Sequence, residues 1–115
     1  MTLDLYLTKL GLKLKHLVVL DVNFEGELLK DFSSAYPHRY LYLPSHGAMI
    51  LEMAVGMASL GKLVLVIGSE LKEATLPDST LNVKLVMRDK KGTWDGFEEG
   101  VRAFGVGVLL LPEEE

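Results

Sequence analysis

Apolar positions along the chain recur at two different spacings and divide it into alternating helices and strands. Between Leu3 and Leu14, the residues Leu3, Tyr6, Leu7, Leu10 and Leu14 share one helical face, although Leu3, Leu5 and Leu7 also alternate as a strand would. The segment's length and its few β-branched residues favour a helix, with Gly11 its weak point. His16–Val22 (HLVVLDV) reads as a buried strand with Asp21 near its end. Glu27–Tyr36 offers Leu28, Leu29 and Phe32 to a core as a short amphipathic helix, stopped by Pro37. Further strands are expected at Arg39–Leu43, Leu63–Ile67, Asn82–Met87 and Val106–Leu111, with a helix at Thr93–Phe104. Gly68–Leu81 is polar and irregular, with room for one helical turn about Leu71–Ala74.

The stretch His46–Lys62 (HGAMILEMAVGMASLGK) stands apart. Ser45 is placed to cap its start, and Gly61-Lys62 is a stop signal. Met49, Met53 and Met57 repeat every fourth residue along one face, continued by Leu60. The other side carries Ala48, Val55 and Ala58, so Glu52 and Ser59 form only a thin polar seam. A helix apolar nearly all round is covered on both sides. In a chain this short, one cover is the sheet and the other a partner, with Met49, Glu52, Met53, Gly56 and Met57 as the candidate interface. Glu52 has two readings: an acid with a raised pKa, or a carboxylate at the rim of that interface. The second is favoured, because no partner acid, base or metal ligand is evident.

Strands alternating with helices imply parallel βαβ units. The expectation is one α/β domain over residues 1–115, with an open, mainly parallel sheet of about five strands and helices on both faces. Such sheets bind ligands beyond the carboxyl ends of their strands. The candidate rim is Asp21, Asn23, Ser45, His46, Gly47, Gly68, Ser69, Glu70 and Arg88.

Composition narrows the choice. The longest apolar run, Leu63–Ile67, is five residues, far short of a membrane span, and Met1-Thr2-Leu3-Asp4 shows no signal peptide. A cytoplasmic protein is expected. The net charge of −4, with no basic stripe, argues against nucleic acid. With no cysteine there is no disulfide, thiol chemistry or thiolate metal site. The absence of Gln and the presence of only Asn23 and Asn82 hint at a thermophilic source.

The usual chemical motifs are missing: no GxGxxG, no GxxxxGK[ST] and no GxSxG. His16, His38 and His46 lie on different elements without ligand spacing, so no metal site is expected. His46 would sit at a helix N-terminus, where the dipole lowers its pKa and favours an anion; a solvated residue beside a cap is the plainer account. Glu70 and Glu73 read as a charged loop face, and Lys90-Lys91-Gly92 as a tight turn.

The order of segments from His16 to Gly68 resembles the pyrimidine-binding domain of transketolase and its thiamin diphosphate-dependent relatives. A strand ending near an Asp leads to a helix that closes in a Phe-Pro-x-Arg corner, here Tyr36-Pro37-His38-Arg39. A short strand follows, then a helix with small residues and Gly-Lys, matched here by Ala54, Gly56, Ala58 and Gly61-Lys62. Leu81–Val86 and Gly107–Pro112 are similar to the family's later strands, so the resemblance spans about residues 5–115.

The resemblance implies a cofactor site shared with a diphosphate-binding domain, to which this domain contributes a glutamate for the aminopyrimidine ring. Aligning Gly56–Lys62 puts that glutamate at Gly47, so the acid is absent. Glu52 is no direct substitute: five residues along a helix rotate a side chain by roughly 140° and advance it by roughly 7.5 Å. The family's aromatic after the third strand is replaced by Gly68-Ser69-Glu70-Leu71. The segments Ile67–Asn82 and Arg88–Trp94 are shorter than the family's, and the second holds no histidine. The expectation is a stand-alone, non-catalytic transketolase-like domain without a cofactor, homodimeric or partner-binding through the Met-rich helix. The alternative is the small subunit of a split thiamin diphosphate-dependent enzyme, with a diphosphate-binding chain as partner and Glu52 or Glu70 supplying the acid. A sensor of small anions at the rim, through Asp21, Asn23, His46 and Ser69, ranks third.

Overall fold

The computed structural model describes residues 2–22, 29–43, 47–67, 82–89, 92–103 and 107–112. Within them the order is α1 (Leu3–Lys13), β1 (Leu17–Asp21), α2 (Lys30–Ala35), β2 (Tyr40–Tyr42), α3 (Gly47–Ser59), β3 (Leu63–Ile67), β4 (Val83–Asp89), α4 (Trp94–Arg102) and β5 (Gly107–Pro112). The five strands form one sheet in the order β2-β1-β3-β4-β5, and every neighbouring pair is parallel. Val19 sits opposite Tyr40 and Leu65, and Leu85 opposite Val66 and Val108. These elements agree with those expected from apolar spacing; β4 runs on to Asp89, which puts Arg88 inside the strand. Leu28 and segment 68–81 lie outside the described residues. No described helix is long and apolar enough to cross a membrane.

Side-chain alternation divides the core in two. Leu17, Val19, Leu65, Ile67, Val86 and Leu109 face α1, α2 and α4. Val18, Leu20, Val64, Val66, Val83 and Leu85 face α3. The units β1–α2–β2 and β2–α3–β3 move in opposite directions along the sheet with helices on opposite layers, so they share one hand. The unit β4–α4–β5 moves the same way as β2–α3–β3, yet α4 lies in the layer of α1 and α2. It therefore winds with the opposite hand. An aromatic cluster fastens α4 to α1: the Tyr6 ring is 4.6 Å from Trp94 and 5.4 Å from Phe97. On its other side α4 approaches β5 so closely that a side chain at Gly100 would overlap Leu109.

The corner Tyr36-Pro37-His38-Arg39 joins α1, β1 and β2. Arg39 Nε donates to the Leu17 carbonyl at 2.8 Å, and Nη2 to those of Leu14 and Gly11 at 2.7 and 3.2 Å. Its guanidinium also stacks 4.3 Å from the Tyr36 ring centre. Burial lowers the Arg39 pKa from its ordinary value, opposed by the neighbouring Tyr36. The Tyr36 hydroxyl donates to the Thr8 carbonyl at 3.0 Å, laying its ring across Gly11. Gly11, the weak point of the helix pattern, is therefore a required contact. Helix α2 is held from α1 as well. Its N-cap, Leu29, has no side-chain acceptor, and the Asp4 carboxylate takes the Asp31 and Phe32 amides at 2.8 Å each.

Helix α3 ends as its sequence predicts. Gly61 has φ +90°, its amide donates to the Ala58 carbonyl at 3.0 Å, and the Lys62 amide to Met57 at 3.2 Å. The spine against the sheet, however, is Ile50, Ala54 and Ala58, not the methionines.

Lys84 is only 5 % exposed in β4, and among the described residues no carboxylate pairs with it. Burial lowers its pKa, because desolvation penalises the ammonium.

Three substitutions test this packing. Gly11→Ala places a Cβ 2.7 Å from the anchored Tyr36 ring and costs about 1–3 kcal/mol in urea unfolding. Gly56→Ala, in open space on α3, instead gains up to ~1 kcal/mol from helix propensity. For Lys84→Met, the expected gain near neutral pH is roughly 1 kcal/mol or more. The unfolded chain binds the extra proton below pH 10.5, so wild-type stability rises toward that pH and the gain shrinks between the folded pKa and 10.5.

Candidate functional site

In the observed strand order, the chain leaves β1 for β2 on one side and reaches β3 on the other, so the crevice of this sheet opens at the carboxyl ends of β1 and β3. There the Val22 amide donates to the Ile67 carbonyl at 3.0 Å and the Leu43 amide to the Asp21 carbonyl at 2.8 Å. Asp21 does not point out to a rim. It is 0 % exposed, on the same side of β1 as Leu17 and Val19. The Tyr40 hydroxyl donates to its Oδ2 at 2.7 Å. Burial raises the Tyr40 pKa, and the hydrogen bond to Asp21 and the charge of that carboxylate raise it further. This pair closes the end of β1 from beneath.

Of the other rim candidates, Asn23, Ser45, His46, Gly68, Ser69 and Glu70 lie outside the described residues. Gly47 is the first residue of α3, and Arg88 lies opposite Leu111 in the β4–β5 ladder. Among the described residues, no three of His, Cys, Asp and Glu gather as a metal site would need.

The second candidate region, α3, has two unlike faces. Ile50, Ala54 and Ala58 are buried, and Met53 and Met57 are half-buried at the margin of that contact. Met49 is 57 % and Leu60 83 % exposed, Glu52 is exposed to one side of them, and nothing lies within 4 Å of a Cβ built on Gly56. Among the described residues, the helix is thus covered by the sheet on one side only, and Glu52 stands on the outer side. The aminopyrimidine of thiamin diphosphate would need a carboxylate near the start of α3. Gly47 begins that helix, Asp21 is held by Tyr40 in the other layer, and Glu52 faces outward. The described residues do not supply that acid.

A cleft of about 430 Å³ lies at the opposite end of the sheet, where β1, β3 and β4 begin and α1 and α4 end. Lys13, Lys15, His16 and Arg102 surround a floor that includes Leu14, Leu17 and Val101. Sequence reasoning did not find it. Its residues come from segments about 50 and 20 positions apart, and no local spacing links them.

No family model and no curated protein sequence matches the chain. Among solved structures, the chain is similar to one described as a split-gene transketolase, an inactive β4 tetramer, with a TM-score of 0.69 and 15 % identity. The match covers 95 % of this chain and 49 % of that one, so this chain spans about half the length of the protein it resembles. The chain therefore has a transketolase-like α/β fold.

Proposed function

We propose that this chain is an assembly module on a transketolase-like scaffold, non-catalytic by itself, whose α3 outer face docks against a second copy. The observation that carries this reading is the uncovered apolar stripe: Met49 and Leu60 are 57 % and 83 % exposed, and Gly56 lets a partner's backbone approach closely. Methionines suit such a contact because the flexible thioether adapts to a partner surface. Glu52 is the one charged residue on the outer face and falls at its edge in this reading. The absence of catalysis rests on Gly47, which stands where the resemblance puts the family's activating acid.

A second reading is favoured by the likeness to a split-gene transketolase. In it, this chain is one subunit of a divided thiamin diphosphate-dependent enzyme, and α3 faces a chain that carries the diphosphate site. Calorimetric titration with thiamin diphosphate and Mg2+ separates the two. Binding that appears only with a co-purified partner favours the second, and no binding in either case favours the first.

Multi-angle light scattering tests the surface itself. A mass of two chains at micromolar concentration is expected, and a monomer there contradicts the interface. Burying Met49 and Leu60 is worth about 1.5–3 kcal/mol each. Met49→Glu with Leu60→Glu should therefore weaken self-association by about 100-fold or more. At dilutions where both chains are monomeric, its urea midpoint should match the wild type's, since neither side chain packs in the monomer's core.

A further inference from the structure

We propose that the cleft at the amino ends of β1, β3 and β4 binds a small amphipathic carboxylate, with its head among Lys13, Lys15 and Arg102 and its apolar body on the strand ends. The site lies at the other end of the sheet and on the other layer from the outer face of α3, so it is independent of the assembly reading.

The first observation is charge. The whole chain carries −4, yet four of the ten residues around this cleft are basic and none is acidic. Among the described residues, Glu98 pairs with Arg102 at 2.7 Å and approaches Lys13 at 3.9 Å, and one carboxylate against these cations and Lys15 leaves an excess of positive charge. A helix C-terminus ordinarily opposes an anion, because its last carbonyls point outward. Here the Gly11 and Leu14 carbonyls at the end of α1 accept hydrogen bonds from Arg39, and the Leu14 carbonyl also takes the Leu17 amide at 3.1 Å. That end is therefore neutralised from the inner side. Lys13, with a side chain 64 % exposed, and Lys15, also exposed, remain turned to solvent.

Shape and lining set the ligand class. The volume of about 430 Å³ falls among small-molecule sites. The floor is apolar, from Leu14, Leu17, Leu63 and Val101, with Asn82 its one neutral polar side chain. A fully hydrated polyanion would leave that floor unused. An anion with a compact hydrocarbon body satisfies both halves: the body covers the half-buried Leu14 and Leu63, and the cations hold a single carboxylate.

The test titrates the full chain with octanoate, with octanol and acetate as controls, following backbone amide shifts by NMR. Saturable octanoate shifts are expected at residues 14–17 and 101–103. Octanol and acetate, each lacking one half of the recognition, should bind at least ~10-fold more weakly. Lys13→Glu with Lys15→Glu should weaken octanoate at least ~10-fold while the amide spectrum stays that of the folded chain; the urea midpoint falls modestly, because Lys13→Glu faces Glu98 at the end of α1. The proposal is overturned if octanoate does not bind, if octanol binds as well, if the charge reversal has no effect, or if the shifts centre elsewhere.

Discussion

One guanidinium fixes the frame of this protein. Arg39 donates to three carbonyls, those of Gly11, Leu14 and Leu17, at the turn where α1 becomes β1. Its own carbonyl accepts the Val19 amide at 2.8 Å, which starts the pairing of β1 with β2. Hydrogen bonds to a charged donor are worth about twice neutral ones, and a buried guanidinium without partners would be costly. The corner that carries Arg39 also lays Tyr36 across Gly11. The end of α1, the start of β1 and the edge strand β2 are therefore set by one contact.

The distribution of helices over that sheet determines what the molecule presents. Helices α1, α2 and α4 share one layer and fasten to one another, through Asp4 on the start of α2 and the Tyr6–Trp94–Phe97 cluster. Burial pushes the Tyr6 pKa up to about 12, with the Glu98 charge adding to it. On the other layer, α3 packs on β1, β3 and β4 with no second described helix beside it. A helix with apolar residues on both sides then keeps one side in solvent. That asymmetry underlies the assembly reading. It also explains why the cationic cleft, between the ends of α1 and α4, is a separate matter.

Much of the fold was legible because the local signals agreed. Leu63–Ile67 is an apolar run between Lys62 and Gly68, Thr93 caps α4 through the Gly96 amide, and Gly61 supplies the positive φ that ends α3. Long-range information was not legible. Nothing in the sequence says that Asp4 reaches the start of a helix 27 residues away, or that α4 takes the same layer as α2. The site was less legible still. Its place near the end of a strand suggests Asp21 for the rim, but strand alternation groups it with Leu17 and Val19; in a run as apolar as LVVL, that alternation has no polar partner to reveal it. Met49, Met53 and Met57 were grouped by spacing, whereas the sheet contact selects Ile50, Ala54 and Ala58. Among the described residues only the inner side of α3 is covered, although its composition asks for two covers.

The central claim is that the outer side of α3 is covered in solution by another protein surface. Methyl NMR of methionine-labelled chain across a dilution series from millimolar to micromolar tests it most directly. The account predicts that the Met49 and Met53 methyl signals move with concentration along one binding curve. Signals that stay fixed over the whole range, at positions typical of a solvated methionine, would contradict it.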